Sequence, residues 1–204
     1  ILSANEQMQR MATIVGSSDV YLMDTRGLTI AANNYLQPDS FVGRNFNFRP
    51  YFYEAMESGD SAIYFALGLM SGVRGLYFSH PVRDEGGQII GVVAVKVLVH
   101  ELESQWDRPT GLREAEMVVL DHNGISFLAS RQDWLYRNFS GMADAVPDEY
   151  SRRRYPGRDL TPMALKTLGT PWGLLEQSAT VRIQDSGKPR EYLSVSTPLP
   201  RMDW

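Results

Sequence analysis

Two cations stand at positions in this sequence where a charge needs a reason. Arg49 opens the helix-like stretch FRPYFYEAMESGD, residues 48–60, immediately before Pro50. A residue before proline is held extended, and proline itself suits the first helical turn, so the guanidinium is presented by a rigid joint. Its fork matches a carboxylate or phosphate bidentately, and amides at a helix start would add donors. The competing reading is a surface ion pair with a nearby acid, which spacing alone favours. Lys96 is the second cation. It interrupts VVAVKV, which is otherwise apolar, as in a central strand packed on both faces. A buried ammonium without a counter-charge loses its proton or destabilises the fold, so an anion should meet it. That anion is a ligand, or an acid such as Asp84, unless Lys96 snorkels to solvent at the strand end.

Between the two cations lies YFALGLMSGVRGLYFS, residues 64–79. Gly68, Ser71, Gly72 and Gly75 predict a tight loop whose amides and Ser71 hydroxyl face an oxyanion, with Tyr64 and Tyr77 as walls. No phosphate-loop motif is present, and aromatics of this kind are most often core. Enzymatic chemistry has little to stand on. His80, His100 and His122 lack metal-ligand spacing and nucleophile-elbow context, and Asp24 and Asp121 read as turn formers rather than paired catalytic carboxylates. No catalytic residue is assigned, and an enzyme acting on small organic acids is kept only as a competing class.

The elements that must carry these residues follow a repeated order. VYLMDTRGLTIAANN, residues 20–34, has a β-rich run, an Asp-x-x-Gly turn and a second alternating run, a hairpin signature. MVVLDHNGISFLASR, residues 117–131, repeats it, with Asp121 and Gly124 in the places of Asp24 and Gly27. In the first copy a helix over PYFYEAMESG precedes the runs GLYFSHPVRD and QIIGVVAVKVLV, joined by EGGQ. In the second copy LKTLG is read as a helix fragment and SRRRYPGRDLTP as polar loop, before two runs joined around DSGKP. A short helix is expected near 99–106, and the boundary between copies near Pro109–Gly111.

A hydrophobic fraction of 43% over 204 residues supports one large domain or two small ones. With 20 Lys+Arg against 24 Asp+Glu, a net charge of -4 and scattered basic residues, nucleic acid is a poor partner. There are no cysteines, which removes disulfides and thiolate metal sites. No apolar run reaches the roughly 20 residues of a membrane span. The opening ILSANEQMQRMATIV suits a helix in progress without an obvious cap, with Leu2, Met8, Met11, Ile14 and Val15 on one stripe. STPLPRMDW ends abruptly on an apolar residue, so the chain is expected to be an excised segment whose flanks hold anchors or output domains.

The ordered string FVGRNFNFRPYF, YFALGLMSGVRGLYFSHPV, GVVAVKV and VLDHNGISFLASRQDWLYR closely resembles the periplasmic sensor region of the DctB family, membrane histidine kinases that detect C4-dicarboxylates. The resemblance runs from about residue 18 to 204 and is more specific than any one motif. It implies an α+β, double-Cache fold: a long N-terminal helix over 1–18, then two PAS-like modules in tandem, each a central antiparallel sheet flanked by helices. The first, over 19–110, would be membrane-distal and hold ligand; the second, over 111–204, would be membrane-proximal. Carried onto this chain, the ligand-binding set is Arg49, Tyr51, Tyr64, Gly68, Met70, Ser71, Tyr77 and Lys96. Amino-acid-sensing relatives of this fold place an Asp near the strand position of Lys96; a Lys there donates to a carboxylate instead. The implied ligand is one small dicarboxylate per chain, such as succinate, fumarate or malate. The resemblance further implies a homodimer through the N-terminal helix, a cognate response regulator, and a periplasmic place in an inner-membrane protein whose transmembrane helices are not in this chain. Control of dicarboxylate transport genes is the implied output. No cofactor is expected in this segment, while a kinase domain would use ATP and Mg. A chemoreceptor ectodomain of the same fold is the alternative.

Overall fold

Ser3 starts the first helix. Its hydroxyl accepts from the Glu6 amide at 3.3 Å and the Glu6 carboxylate takes the Ser3 amide at 2.7 Å, a reciprocal cap that satisfies two orphan donors. The sequence reading found no cap here because the S-x-x-E signal precedes only a weakly apolar run. Helix α1 spans Ala4–Val15 and ends at Gly16, whose positive φ of 63° closes the last turn. Met8 and Ala12 form its buried stripe, whereas Met11, Ile14 and Val15 are exposed. The expected stripe was thus rotated: Met8 and Ala12 are the i and i+4 positions that face the sheet. Leu2 lies outside the described residues.

The computed structural model describes residues 3–68, 71–104, 115–121, 123–139, 154–158, 160, 165–167, 179–185 and 188–195. The chain divides into two compact units, Ile1–Trp106 and Asp107–Trp204. In the first, β1 (Asp19–Asp24), β2 (Thr29–Ala32), β3 (Ala62–Leu67), β4 (Arg74–Arg83) and β5 (Ile89–Leu98) form one antiparallel sheet in the order β2-β1-β5-β4-β3. β5 is its central strand, as its apolar run predicts.

Successive residues of a strand point to opposite faces. On one face Val20 and Ala31, with the partly buried Leu22, Val93 and Val95, receive Met8 and Ala12 of α1. On the other, Tyr21, Met23, Tyr64, Tyr77, Val92 and Ala94 pack against Phe46 and against α2, Pro50–Ser58, through Tyr51, Phe52 and Ala55. Each fully buried large apolar side chain contributes roughly 1.5–3 kcal/mol, so this aromatic layer is the main stabiliser of the unit and also fixes what lies beside it. The segment 64–79 is a hairpin, not one long loop: β3 and β4 pair from Ala62↔Ser79 to Leu67↔Arg74, and only 68–73 connects them. Val99–Ser104 forms the short α3 expected there.

In the second unit β6 (Val118–Leu120) pairs with β7 (Ser126–Ala129), and β8 (Leu165–Thr167), β9 (Ala179–Asp185) and β10 (Lys188–Ser194) form a sheet in the order β10-β9-β8. Ala129, Trp134, Phe139, Val181 and Ile183 make its core. LKTLG is therefore a strand at its start, not a helix fragment. A five-residue segment with two leucines carries no reliable period, and pairing with β9 decides the state of Leu165–Thr167. Nor is SRRRYPGRDLTP simply a polar loop, since Arg154 and Tyr155 are buried.

The repeated turns match in hydrogen-bonding detail. Asp24 Oδ1 accepts the amides of Arg26 and Leu28 at 2.8 and 2.9 Å, and Asp121 Oδ1 those of Asn123 and Ile125 at 2.9 and 3.0 Å. Gly27 and Gly124 supply positive φ in each. Leu28 bridges Asn45, and Ile125 bridges Asn138 in the corresponding place. Both aspartates are turn formers.

Candidate ligand-binding site

Arg49 is the N-cap of α2, with extended φ −82° and ψ 133°, and Pro50 opens the helix behind it. The arginine is only 3% exposed, so the surface-pair reading does not apply. Its Nη2 donates to the Leu67 carbonyl at 3.1 Å, which anchors the guanidinium at the end of β3. The amides of Phe52 and Tyr53 both point to the Arg49 carbonyl. Donors at this helix start therefore come from the arginine side chain rather than from those two amides.

Lys96 is 4% exposed and lies in a row across three strands, because β5 pairs Lys96 with Asp19 of β1 on one side and with Tyr77 of β4 on the other. Its Nζ is 3.6 Å from Asp19 Oδ2 and donates to Ser71 Oγ at 3.1 Å. Burial holds the ammonium pKa below its ordinary value; the Asp19 charge opposes that shift and Arg49 adds to it. The counter-anion is thus Asp19, not Asp84. Asp84 Oδ1 instead accepts the Gln88 amide at 2.9 Å in the β4–β5 turn. Two glycines make room for the lysine. A Cβ on Gly75 would meet Lys96 Cε at 2.5 Å, and one on Gly68 would lie 2.5 Å from Ser71 Oγ and 3.0 Å from Lys96 Nζ.

Tyrosines form the wall. Tyr51 and Tyr77 stack with centroids 4.9 Å apart and planes at 6°, and the Tyr21 hydroxyl donates to that of Tyr51 at 2.7 Å. Burial pushes the Tyr51 hydroxyl up to about 12 and raises Tyr21 and Tyr77 as well, so the wall is a set of neutral phenols. Arg49, Tyr51, Gly68, Ser71, Tyr77 and Lys96 all line one cavity, with Asp19, Tyr21, Phe41 and Phe46; its empty volume is about 350 Å³ including the part open to solvent. Two cations and one carboxylate face it among the described residues, which leaves the cavity net positive. It can take a small anion whose apolar middle lies against the aromatic wall.

Six of the eight residues expected to meet do so. Tyr64 stands one layer back, 6.3 Å from Tyr51 between ring centroids, and does not line the cavity. The β3–β4 register places it beside Tyr77 within the aromatic core. Met70 lies outside the described residues.

No protein-family model matches the chain. The C4-dicarboxylate transport sensor protein DctB of Pseudomonas aeruginosa is 38% identical over 179 residues, 87% of this chain and 28% of that protein. Its namesake from Rhizobium meliloti is 33% identical over 140 residues, 69% of this chain and 22% of that protein. This chain thus spans about a quarter of the length of the curated relatives it matches. The sensor domain of the V. cholerae histidine kinase DctB superposes with a TM-score of 0.80 at 28% identity, covering 97% of this chain and 73% of that one. The chain is a DctB-family sensor region.

Four lining residues of this DctB-family region escaped the sequence reading. Asp19 and Tyr21 alternate along β1, so a strand assignment puts them on one face, but only the β1–β5 register brings that face to Lys96. Phe41 and Phe46 flank the connection before Arg49; Phe41 packs edge-on to Tyr21 at 5.3 Å and to Phe46 at 6.1 Å, and Phe46 lies tilted against Tyr21 at 5.7 Å. The alternation in RNFNFRP was the available signal for Phe46.

Proposed function

We propose that this sensor region binds one C4-dicarboxylate, such as succinate, fumarate or malate, in the cavity between Arg49 and Lys96. The single observation that carries the reading is the convergence of two nearly buried cations on one aromatic-walled cavity. Arg49 takes one carboxylate with its fork, Lys96 and Ser71 take the other, and Tyr51 and Tyr77 cover the carbon chain. Charge-assisted hydrogen bonds contribute on the order of 1.5–3 kcal/mol each, and a micromolar complex needs about 8 kcal/mol net. A handful of such bonds reaches that range after desolvation.

The wider reading is a double-Cache sensor: tandem PAS-like modules on the periplasmic side of an inner-membrane histidine kinase that controls dicarboxylate transport through a response regulator. It acts as a homodimer in which the exposed Met11, Ile14 and Val15 of α1 face a second copy. Kinase output is preferred to a chemoreceptor output because the V. cholerae sensor domain that this chain resembles at a TM-score of 0.80 belongs to a histidine kinase, and both curated relatives are transport sensor proteins of the same name.

Calorimetric titration tests the ligand assignment. Succinate should bind with one site per chain, leucine should give no heat, and Lys96→Ala should weaken succinate about 30-fold or more, the cost of truncating one partner of a buried charge contact. A folded wild-type protein that ignores every C4-dicarboxylate would sink the assignment.

A further inference from the structure

The cavity contains a carboxylate of its own, and the binding scheme above gives it no part. Asp19 is the first residue of β1, directly opposite Lys96 in the β1–β5 register. It is held there from behind. The Ser18 amide and hydroxyl both donate to the Lys96 carbonyl, each at 3.0 Å, and the same hydroxyl lies 3.1 Å from Asp19 Oδ2. The backbone that carries the carboxylate is therefore fixed beside Lys96 by the strand pair. Yet the carboxylate's contact with Lys96 Nζ is 3.6 Å, well beyond the about 2.7–2.9 Å of a tight charge-assisted hydrogen bond. An ammonium has three donors, and Ser71 takes one of them at 3.1 Å. Lys96 is thus neutralised at long range by Asp19 while it keeps donor capacity for a closer acceptor.

We propose that Asp19 is a built-in counter-anion that competes with the ligand for Lys96 and so sets the ligand concentration at which the sensor fills. The proposal rests on the dicarboxylate reading. In the empty site Asp19 keeps a nearly buried ammonium charged, which lowers the energy of the unliganded state. When a carboxylate arrives at Lys96, two like charges share one cation, which raises the energy of the liganded state. Both effects oppose binding. With Arg49 and Lys96 partly offset by Asp19, the site carries one net positive charge, so Asp19 also reduces the extra attraction that an anion of higher charge, such as a tricarboxylate, would gain over a dicarboxylate. Asp19 is thereby a specificity-determining residue.

A merely structural or positioning role for Asp19 gives the opposite sign, which makes the test decisive. Asp19→Asn and Asp19→Ser both remove the charge and keep a polar group near Ser18. Titrated with succinate beside the wild type, both variants should bind about tenfold tighter, equal to about 1.4 kcal/mol. Their ligand-free melting temperatures should fall, while the melting shift produced by saturating succinate should grow. Asp60→Asn, an exposed carboxylate at the end of α2, should leave affinity unchanged. Unchanged or weaker succinate binding by both folded Asp19 variants, against a wild type that binds, would overturn the competition and leave the dicarboxylate reading standing. A wild type that binds no dicarboxylate would remove both.

Discussion

The ionisable residues around the cavity are matched by environment rather than by contact count. Lys96 remains useful as a cation because Asp19 offsets part of its burial. The tyrosines are the opposite case, held neutral by the same burial. This has a consequence at alkaline pH. In the unfolded chain a tyrosine ionises near 10, whereas native Tyr51 does so only at about 12 and Tyr21 and Tyr77 are raised too. A raised native pKa contributes stability that is present below about pH 10 and lost as pH climbs through the native value. Lys96, with its lowered pKa, contributes in the other direction over the window just below its ordinary 10.5, but it is one group against three. Urea unfolding should therefore show the midpoint falling between about pH 9.5 and pH 12. Tyr51→Phe should flatten that fall while leaving the Tyr21 hydroxyl without its partner, at a cost of about 1–3 kcal/mol at neutral pH.

At the scale of elements, the site is made by one sheet register and two absent side chains. β5 brings Lys96 between Asp19 and Tyr77, and β4 must carry a glycine beside the lysine stem. Gly75 and Gly91 look alike in sequence and differ in what surrounds them. A Cβ on Gly75 meets Lys96 Cε and Cγ at 2.5 and 2.8 Å, atoms of a flexible stem, whereas one on Gly91 runs into the Met23 carbonyl oxygen, which is backbone. Gly75→Ala should therefore displace the ammonium and weaken succinate at least about tenfold with little loss of fold. Gly91→Ala should separate β5 from β1 and destabilise by about 1–3 kcal/mol or more. Thermal melts and calorimetry on the pair would check both; equal effects of the two on binding would contradict the division.

For the molecule as a whole, every described residue that lines the cavity lies between Asp19 and Lys96, inside the unit Ile1–Trp106. That unit also contains α1 and α2, which cover the two faces of its sheet. A protein of residues 1–106 should consequently fold alone, show mixed helix and strand by circular dichroism, and bind succinate within about threefold of the full chain, a difference of about 0.7 kcal/mol. The second unit uses the corresponding turn differently: Asp121 Oδ2 accepts from the Tyr155 hydroxyl at 2.7 Å and lies 3.4 Å from Arg154. There the aspartate is tied to its own buried arginine.

How much of this could be read without coordinates depends on the range of the interaction. The Asp-x-x-Gly hairpins, Pro50 at a helix start, the extended Arg49 and the central β5 rest on contacts within a few residues, so local chemistry and period were enough. The family likeness was legible too, because an ordered string of motifs survives where single motifs do not. What failed were segments whose state is set from afar: Leu165–Thr167 became a strand because β9 pairs with it, and the stripe of α1 was settled by Val20 and Ala31. Within the site, the types and many positions of the cavity-lining residues were written in the sequence by itself, including the anomaly of a lysine in an apolar strand. Only the tertiary structure decided that Asp19 answers that lysine and that Tyr64 stands behind the wall. Both depend on strand register, which brings together residues far apart in the chain and leaves no local trace at either of them.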